Sequence, residues 1–242
     1  MLLSIIIPCY NEEARIAHTL DTVRAYLKSR NMKGEIIVVN DGSTDDTLKI
    51  LESIEKAPPA AQARDIDIKA LSWAMNRGKG AAVREGMLKS TGDAVLFMDA
   101  DLSTPVEEAD KLLDLLKNHD IVIGSRQAAG KQIEKYQPLD RLILGIGFSC
   151  VVRIIFRLPY LDTQCGFKIM TKKAATSLAK HMRINGYTFD VEMLALAGRL
   201  GLKVAEVGIR WKDMAGSKIS PRKDLGKIIA ELIEIRKNIK DL

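Results

Sequence analysis

Two aspartates one residue apart, Asp99 and Asp101 with Ala100 between them, close the apolar run VLFMDAD at residues 95–101. If the strand extends that far, residues i and i+2 project from one face and the two carboxylates point together. So close a pair repels, and one pKa rises unless a cation lies between them. A hard divalent ion with oxygen ligands, Mg²⁺ or Mn²⁺, removes the conflict and keeps positions open for phosphate oxygens. The same spacing also fits a strand that stops at Asp99 and an Asp101 that caps the helix begun by STPVEE. On this motif alone both readings stand.

The elements that must position the pair are visible in the alternation of short β-rich runs with helical patterns. SIIIPCY, EIIVVNDG, IDIKALSW, AVLFMDAD and DIVIGSR read as five strands. Between them NEEARIAHTLDTVRAYLKS, STDDTLKILESIEK, GAAVREGMLKS and VEEADKLLDLLKN read as helices, with acidic residues opening the first and Ser43 or Thr44 capping the second. Nearly continuous apolar strands separated by helices predict an α/β fold with a mostly parallel sheet covered on both faces. After Arg126 the rhythm breaks. Residues 127–139 look like a loop, GFKIMT reads as a further strand, KKAATSLAKHM and VEMLALAGRLG as helices, and KVAEVGIRW as a last strand before the amphipathic helix LGKIIAELIEIRKNI.

Ligands of open α/β sheets bind beyond the carboxyl ends of the strands. That rule selects residues 8–12, 40–43, 76–80, the two aspartates, and residues 124–126. Five successive strand ends with polar or glycine-rich groups describe one site. Gly78-Lys79-Gly80 nearly matches a dinucleotide fingerprint, but Val83 stands at the third glycine position and the stretch follows the third strand rather than the first. Lys79 reads instead as a point charge near an anionic ligand, with glycines that allow a close backbone approach.

Composition narrows the class. The 242 residues carry a net charge of +6, which suits a nucleotide, a phosphorylated substrate or an anionic membrane surface. Aromatic content is only 5%, with no basic segment interleaved with rings, so nucleic acid is not an expected partner. Cys9, Cys150 and Cys165 are odd in number and widely spaced, as in a reducing compartment, and no leader-like segment is expected at the start. The apolar segment LILGIGFSCVV between Arg141 and Arg153 has eleven residues. A spanning helix needs about 20. The expectation is a soluble or peripheral protein.

IIIPCYNEE, VVNDGSTDDT, NRGKGAAVREG, MDADLSTP and VIGSR, in this order and spacing, resemble family 2 glycosyltransferases of the GT-A fold. DTQCGFK, FDVEML and GSK add a resemblance to dolichyl-phosphate β-glucosyltransferases and related polyprenyl-phosphate sugar transferases, over roughly residues 2–220. The resemblance implies a nucleotide-sugar donor, a divalent metal held by Asp99 and Asp101, and a polyprenyl phosphate acceptor. It puts Pro8, Tyr10, Asn11, Glu12 and Asp41 at the nucleoside, and Asn76, Gly78, Lys79, Gly80 and Ala100 elsewhere along the donor. Arg126, Arg141 and Lys218 become phosphate ligands. Asp190 or Glu192 stands where inverting relatives can place a base, although a phosphate monoester with a second pKa of about 6 is largely dianionic and needs none; a positioning or acceptor-side role fits better. Met214 stands where mannosyltransferases are expected to carry an arginine.

The expected reaction is transfer of glucose from UDP-glucose to a polyprenyl phosphate with inversion. GDP-mannose or a UDP-N-acetylhexosamine are alternative donors, and a catalytically idle nucleotide-sugar or lipid-binding protein is the alternative of another class. Residues 1–126 are expected to form the donor half, 127–220 the acceptor half and 221–242 a terminal helix, with a homo-oligomer as an open alternative to a monomer. The protein is expected in the cytoplasm, docked on the cytoplasmic face of a membrane through Leu142, Leu144, Ile146, Phe148, Val152, Ile155 and Phe156, with Arg141, Arg153 and Arg157 meeting lipid phosphates.

Overall fold

A strand buried on both faces has no wet side to alternate with, which is why the first strand reads LLSIIIPC and the second KGEIIVVN. The computed structural model of the chain describes residues 1–56, 66–135, 139–214 and 221–241, with residues 140, 141, 143, 144 and 221–224 described through the backbone alone. Its first half alternates β1 (Leu2–Cys9), α1 (Ile16–Ser29), β2 (Lys33–Asn40), α2 (Thr47–Glu55), β3 (Ile66–Ser72), α3 (Lys79–Lys89), β4 (Ala94–Met98), α4 (Ala109–Leu116) and β5 (Ile121–Ser125). The second half adds β6 (Gln132–Lys135), α5 (Leu139–Phe156), β7 (Phe167–Thr171), α6 (Lys172–His181), α7 (Phe189–Arg199), β8 (Val204–Gly208), β9 (Arg210–Lys212) and α8 (Pro221–Asn238).

The seven-stranded sheet runs β3-β2-β1-β4-β7-β5-β8 and is parallel except for β7, which enters between β4 and β5 antiparallel to both. Register levels the rim. Cys9 pairs with Asn40 and Asn40 with Ser72, so the first three strands end side by side. The antiparallel pairing of Met98 with Phe167 then brings the residue before β7, Gly166, opposite Asp99. Strand β7 thus carries the DTQCGFK segment to the end of β4. Two apolar clusters cover the faces of the sheet, one built on β1, α1 and α4 and the other on α3, α6 and α7.

Local structure departs from expectation at several points. Helix α1 begins at Ile16 rather than Asn11, because Asn11 takes a left-handed φ of 51° and the chain turns before entering the helix. Ser43 and Thr44 do not cap α2; they bond to Asn40 and Asn11 and tie the loops after β1 and β2 together. Part of the polar stretch after Arg126 forms β6, which pairs with β9 in a small separate sheet. The last expected strand is therefore split between β8 and β9. Among the described residues no helix is long and apolar enough to cross a membrane.

Candidate active site

Strand β4 stops at Met98, so of the two readings the extended strand is excluded: Asp99, Ala100 and Asp101 lie in a turn beyond it. Oδ1 of Asp101 accepts from the amide (2.9 Å) and hydroxyl (2.5 Å) of Ser103, an Asx turn that leaves the next helical turn to start at Pro105 without an aspartate cap. Asp99 and Asp101 nevertheless both line one cleft of about 340 Å³ at the rim. The Asp99 amide donates to Gly166 O (3.2 Å), and a Cβ at Gly166 would stand 2.1 Å from Asp99 Oδ2. Only glycine leaves room for the carboxylate.

Lys79, first residue of α3, reaches Asp99 Oδ1 at 2.6 Å. Burial opposes its charge, but Asp99, Asp190 and Asp101 outweigh that and hold the ammonium above its ordinary pKa. Gly78 sets the entry to α3 with φ 104°, and a Cβ there would meet Asn185 O at 2.2 Å. The close approach predicted for these glycines is made by the chain's own loop at residues 184–186, whose Asn185 O also accepts from the Gly80 amide (2.8 Å). Asp41 fixes the segment that leads into α3 by accepting from the amides of Arg77 (2.6 Å) and Gly78 (2.9 Å); burial still pushes its carboxyl up.

Arg126 follows β5 and is gripped by Asp162 in a fork: Nε to Oδ2 at 2.7 Å, Nη2 to Oδ1 at 2.9 Å, with its amide also on Oδ2. Burial works against both charges, and their attraction overcomes it, holding the arginine above and the aspartic acid below their ordinary ranges. Three of the five guanidinium donors remain for a ligand. The guanidinium also lies over the Trp211 ring (5.6 Å). Cys165, buried beside this pair, has its thiol pushed up to about 12 by burial and by Asp162, so it stays protonated and is no nucleophile.

Asp190 lies beneath the cleft. It is 3% exposed and accepts from the fully buried Lys168 Nζ at 2.5 Å, while burial pushes its carboxyl up. That geometry makes it a counter-charge for Lys168 and Lys79. Glu192 lies deeper still and accepts from the amides of Arg183 and Ile184 and from Asn238 Nδ2, clamping the loop that packs on Gly78.

Pro8, Tyr10, Glu12, Asp41, Asn76, Gly78, Lys79, Ala100 and Arg126 all line the same cleft as the two aspartates. Asn11 and Gly80 are not brought into its lining; Asn11 Oδ1 accepts from Thr44 instead. The Arg141 side chain and Lys218 lie outside the described residues. Sequence reasoning missed Arg15, Tyr187, Trp211 and Lys227 in the lining, and Asp162 behind it.

A divalent ion fits the donor set. Mg²⁺ is commonly held by one or two carboxylates with phosphates and water completing the shell. Among the described residues no group of three or more His, Cys, Asp or Glu side chains gathers to hold a metal, so a metal in the cleft would rest on this pair of carboxylates.

The profile of "Glycosyl transferase family 2" matches residues 4–178. The chain is 38% identical over 231 residues to the dolichyl-phosphate beta-glucosyltransferase of Drosophila melanogaster, covering 90% of this chain and 69% of that protein. It is 34% identical to the enzyme of the same name from Dictyostelium discoideum, covering 97% and 73%. In fold it is similar to glucosyl-3-phosphoglycerate synthase from Mycobacterium tuberculosis, crystallised with Mn²⁺, UDP and glucosyl-3-phosphoglycerate, with TM-score 0.69, 20% identity, and coverage of 98% of this chain and 79% of that one. With the family profile matched over most of its length and relatives this similar along nine-tenths of it or more, the chain belongs to glycosyl transferase family 2.

Proposed function

We propose that this protein transfers glucose from UDP-glucose to a polyprenyl phosphate, giving a β-linked lipid phosphate and UDP. The observation that carries the reading is the meeting of Asp99, Asp101, Lys79 and Arg126 in one cleft at the ends of β4, α3 and β5. Relatives 32–38% identical are named dolichyl-phosphate beta-glucosyltransferases, and a fold neighbour was crystallised with Mn²⁺ and UDP-glucose. Met214 also lines the cleft, an apolar side chain where a mannosyltransferase arginine was expected.

Asp99 and Asp101 would hold Mg²⁺ or Mn²⁺, which supplies charge neutralisation at the leaving diphosphate. Lys79 adds a fixed positive charge there. Pro8, Tyr10, Glu12 and Asp41 hold the nucleoside. A phosphate oxygen of the acceptor forms the new bond to the anomeric carbon as the bond to UDP breaks, and the electron pair leaves on the diphosphate. No proton moves, so the burial of Asp190 against Lys168 costs the reaction nothing. Arg126 orients a phosphate through the donors that Asp162 leaves free. The donor half is residues 1–126 and the acceptor half 127–220.

The acceptor brings the cleft to a membrane. Along α5, Val152 is buried and Phe148 and Phe156 pack on the core, so these three expected docking residues face inward. The outward face keeps the expected Ile146 and Ile155 and adds Cys150, Val151 and Ile154, of which Ile154 is 79% exposed. Docking on the cytoplasmic face through that side is part of the proposal.

The test is transfer of labelled glucose from UDP-glucose to a short polyprenyl phosphate with Mg²⁺. Parent protein should form lipid-linked glucose, EDTA should stop it, and Asp101→Asn should lower turnover by at least about 100-fold with its melting temperature retained. Near-normal transfer by Asp101→Asn would sink the metal assignment.

A further inference from the structure

Among the described residues, four cationic side chains line the cleft: Arg15, Lys79, Arg126 and Lys227. The first three have their charge offset by an acidic partner, Glu12, Asp99 and Asp162 respectively. Lys227 makes no ion pair or hydrogen bond with any described residue. It is the cation in the described lining whose charge is still free for an anion.

Its place is fixed by contacts elsewhere along the helix. One turn further along α8, Glu231 accepts from the Thr188 hydroxyl at 2.5 Å and packs so tightly on Gly186 that a Cβ there would lie 2.1 Å from Oε1. At the far end Asn238, 3% exposed, donates to Glu192 Oε1 (2.7 Å) and His181 O (3.0 Å). Residues 227 and 231 share one helix face. The two anchors therefore hold Lys227 over the Gly186–Tyr187 wall of the cleft. On another face of the same helix Leu225, Ile229 and Ile233 recur every four residues, each more than half exposed. A helix with an apolar outer stripe and a cation turned to the cleft suits a ligand that joins a lipid tail to a phosphate.

We propose that Lys227 binds the phosphate of the lipid acceptor, a subsite supplied by the C-terminal helix. The inference rests on the proposed function and deepens it. Because the other cations of the described lining are paired, an incoming phosphate dianion gains its uncompensated attraction there from Lys227, as a point charge rather than a fork.

The experiment compares parent, Lys227→Gln and Lys227→Arg. Steady-state transfer to a short polyprenyl phosphate is measured beside calorimetric titrations of that acceptor and of UDP with Mn²⁺. Lys227→Gln should raise the acceptor KM and Kd about tenfold or more, with a smaller change in kcat and with UDP affinity within about twofold of parent. Lys227→Arg should recover most of the acceptor affinity. An acceptor Kd unchanged in Lys227→Gln overturns the inference alone. UDP affinity falling in step with acceptor affinity also overturns it, by moving the lysine to the donor or to a purely structural role. A parent that binds UDP but no polyprenyl phosphate overturns the proposed function and this inference together.

Discussion

Arg126 and Asp162, 36 residues apart, form a two-pronged ion pair in which the aspartate is fully buried and the arginine still lines the cleft. The aspartate takes the backbone amide of Arg126 as well, so it fixes both the end of β5 and the direction of the guanidinium. Asp162→Asn removes the charge and turns one of the two acceptor oxygens into a donor facing donors. It should cost about 2 kcal/mol of stability and lower the melting temperature by about 5 °C. Turnover should fall by about 100-fold, with KM for the acceptor rising more than KM for UDP-glucose. Arg126→Lys should not restore function, since an ammonium cannot make the fork. Thermal melts and two-substrate kinetics check both statements; an Asp162→Asn protein with parental acceptor KM would remove Arg126 from the acceptor side.

Glu35 is the buried carboxylate of the sheet itself. It accepts from Ser4 Oγ (2.5 Å), from the amide and hydroxyl of Thr91 and from Lys69 Nζ (3.0 Å), bonding β1, β2, β3 and the segment that follows α3. Burial alone would raise its pKa, but these donors win and bring it down to about 2 from 4.5. A carboxyl depressed in the folded state contributes stability above its unfolded pKa and loses it as pH falls through the folded value. Glu35→Gln should therefore cost about 3 kcal/mol at pH 7. Its stability deficit against the parent should shrink between pH 4.5 and pH 2, which urea unfolding across that range would show. A deficit constant with pH would contradict the ionised state.

Helix α5 permits a paired comparison. Val151→Ser with Ile154→Ser alters only the exposed face and should weaken binding to anionic liposomes severalfold while leaving the melting temperature within about 2 °C. Phe148→Ser with Phe156→Ser removes side chains packed on the core and should lower the melting temperature instead. Liposome sedimentation beside calorimetry separates the two. Equal liposome binding by the exposed-face variant and the parent would mean that α5 is not the docking face.

The repeating strand–helix rhythm and the polar strand ends made the sheet and most of the cleft legible from sequence, because both depend on local patterns. Strand direction does not. FKIMT reads as a strand, yet a strand with four of its five residues buried carries no mark that β7 runs against its neighbours or sits between β4 and β5. Alternation would send Lys168 to solvent; it is instead fully buried against Asp190, 22 residues away, with its ammonium 5.3 Å from the Phe97 ring centre. The pairing of β6 with β9 joins two polar stretches more than 70 residues apart and leaves no apolar signature. Helix α5 is apolar around most of its circumference, so which side faced the core could not be read from composition. Lys227 looked like one of several basic residues on an amphipathic helix until Glu231 and Asn238 set the helix's rotation.

The central claim is glucose transfer from UDP-glucose to a lipid phosphate, and donor competition tests it most directly. Equimolar UDP-glucose, GDP-mannose and UDP-N-acetylglucosamine are offered with a short polyprenyl phosphate and Mg²⁺, and products are read by mass spectrometry with NMR of the anomeric proton. The account predicts a β-linked hexosyl lipid phosphate formed from UDP-glucose, at least about tenfold ahead of either competitor, a discrimination of about 1.4 kcal/mol. Preferential transfer from GDP-mannose or UDP-N-acetylglucosamine, or an α-linked product, would contradict it.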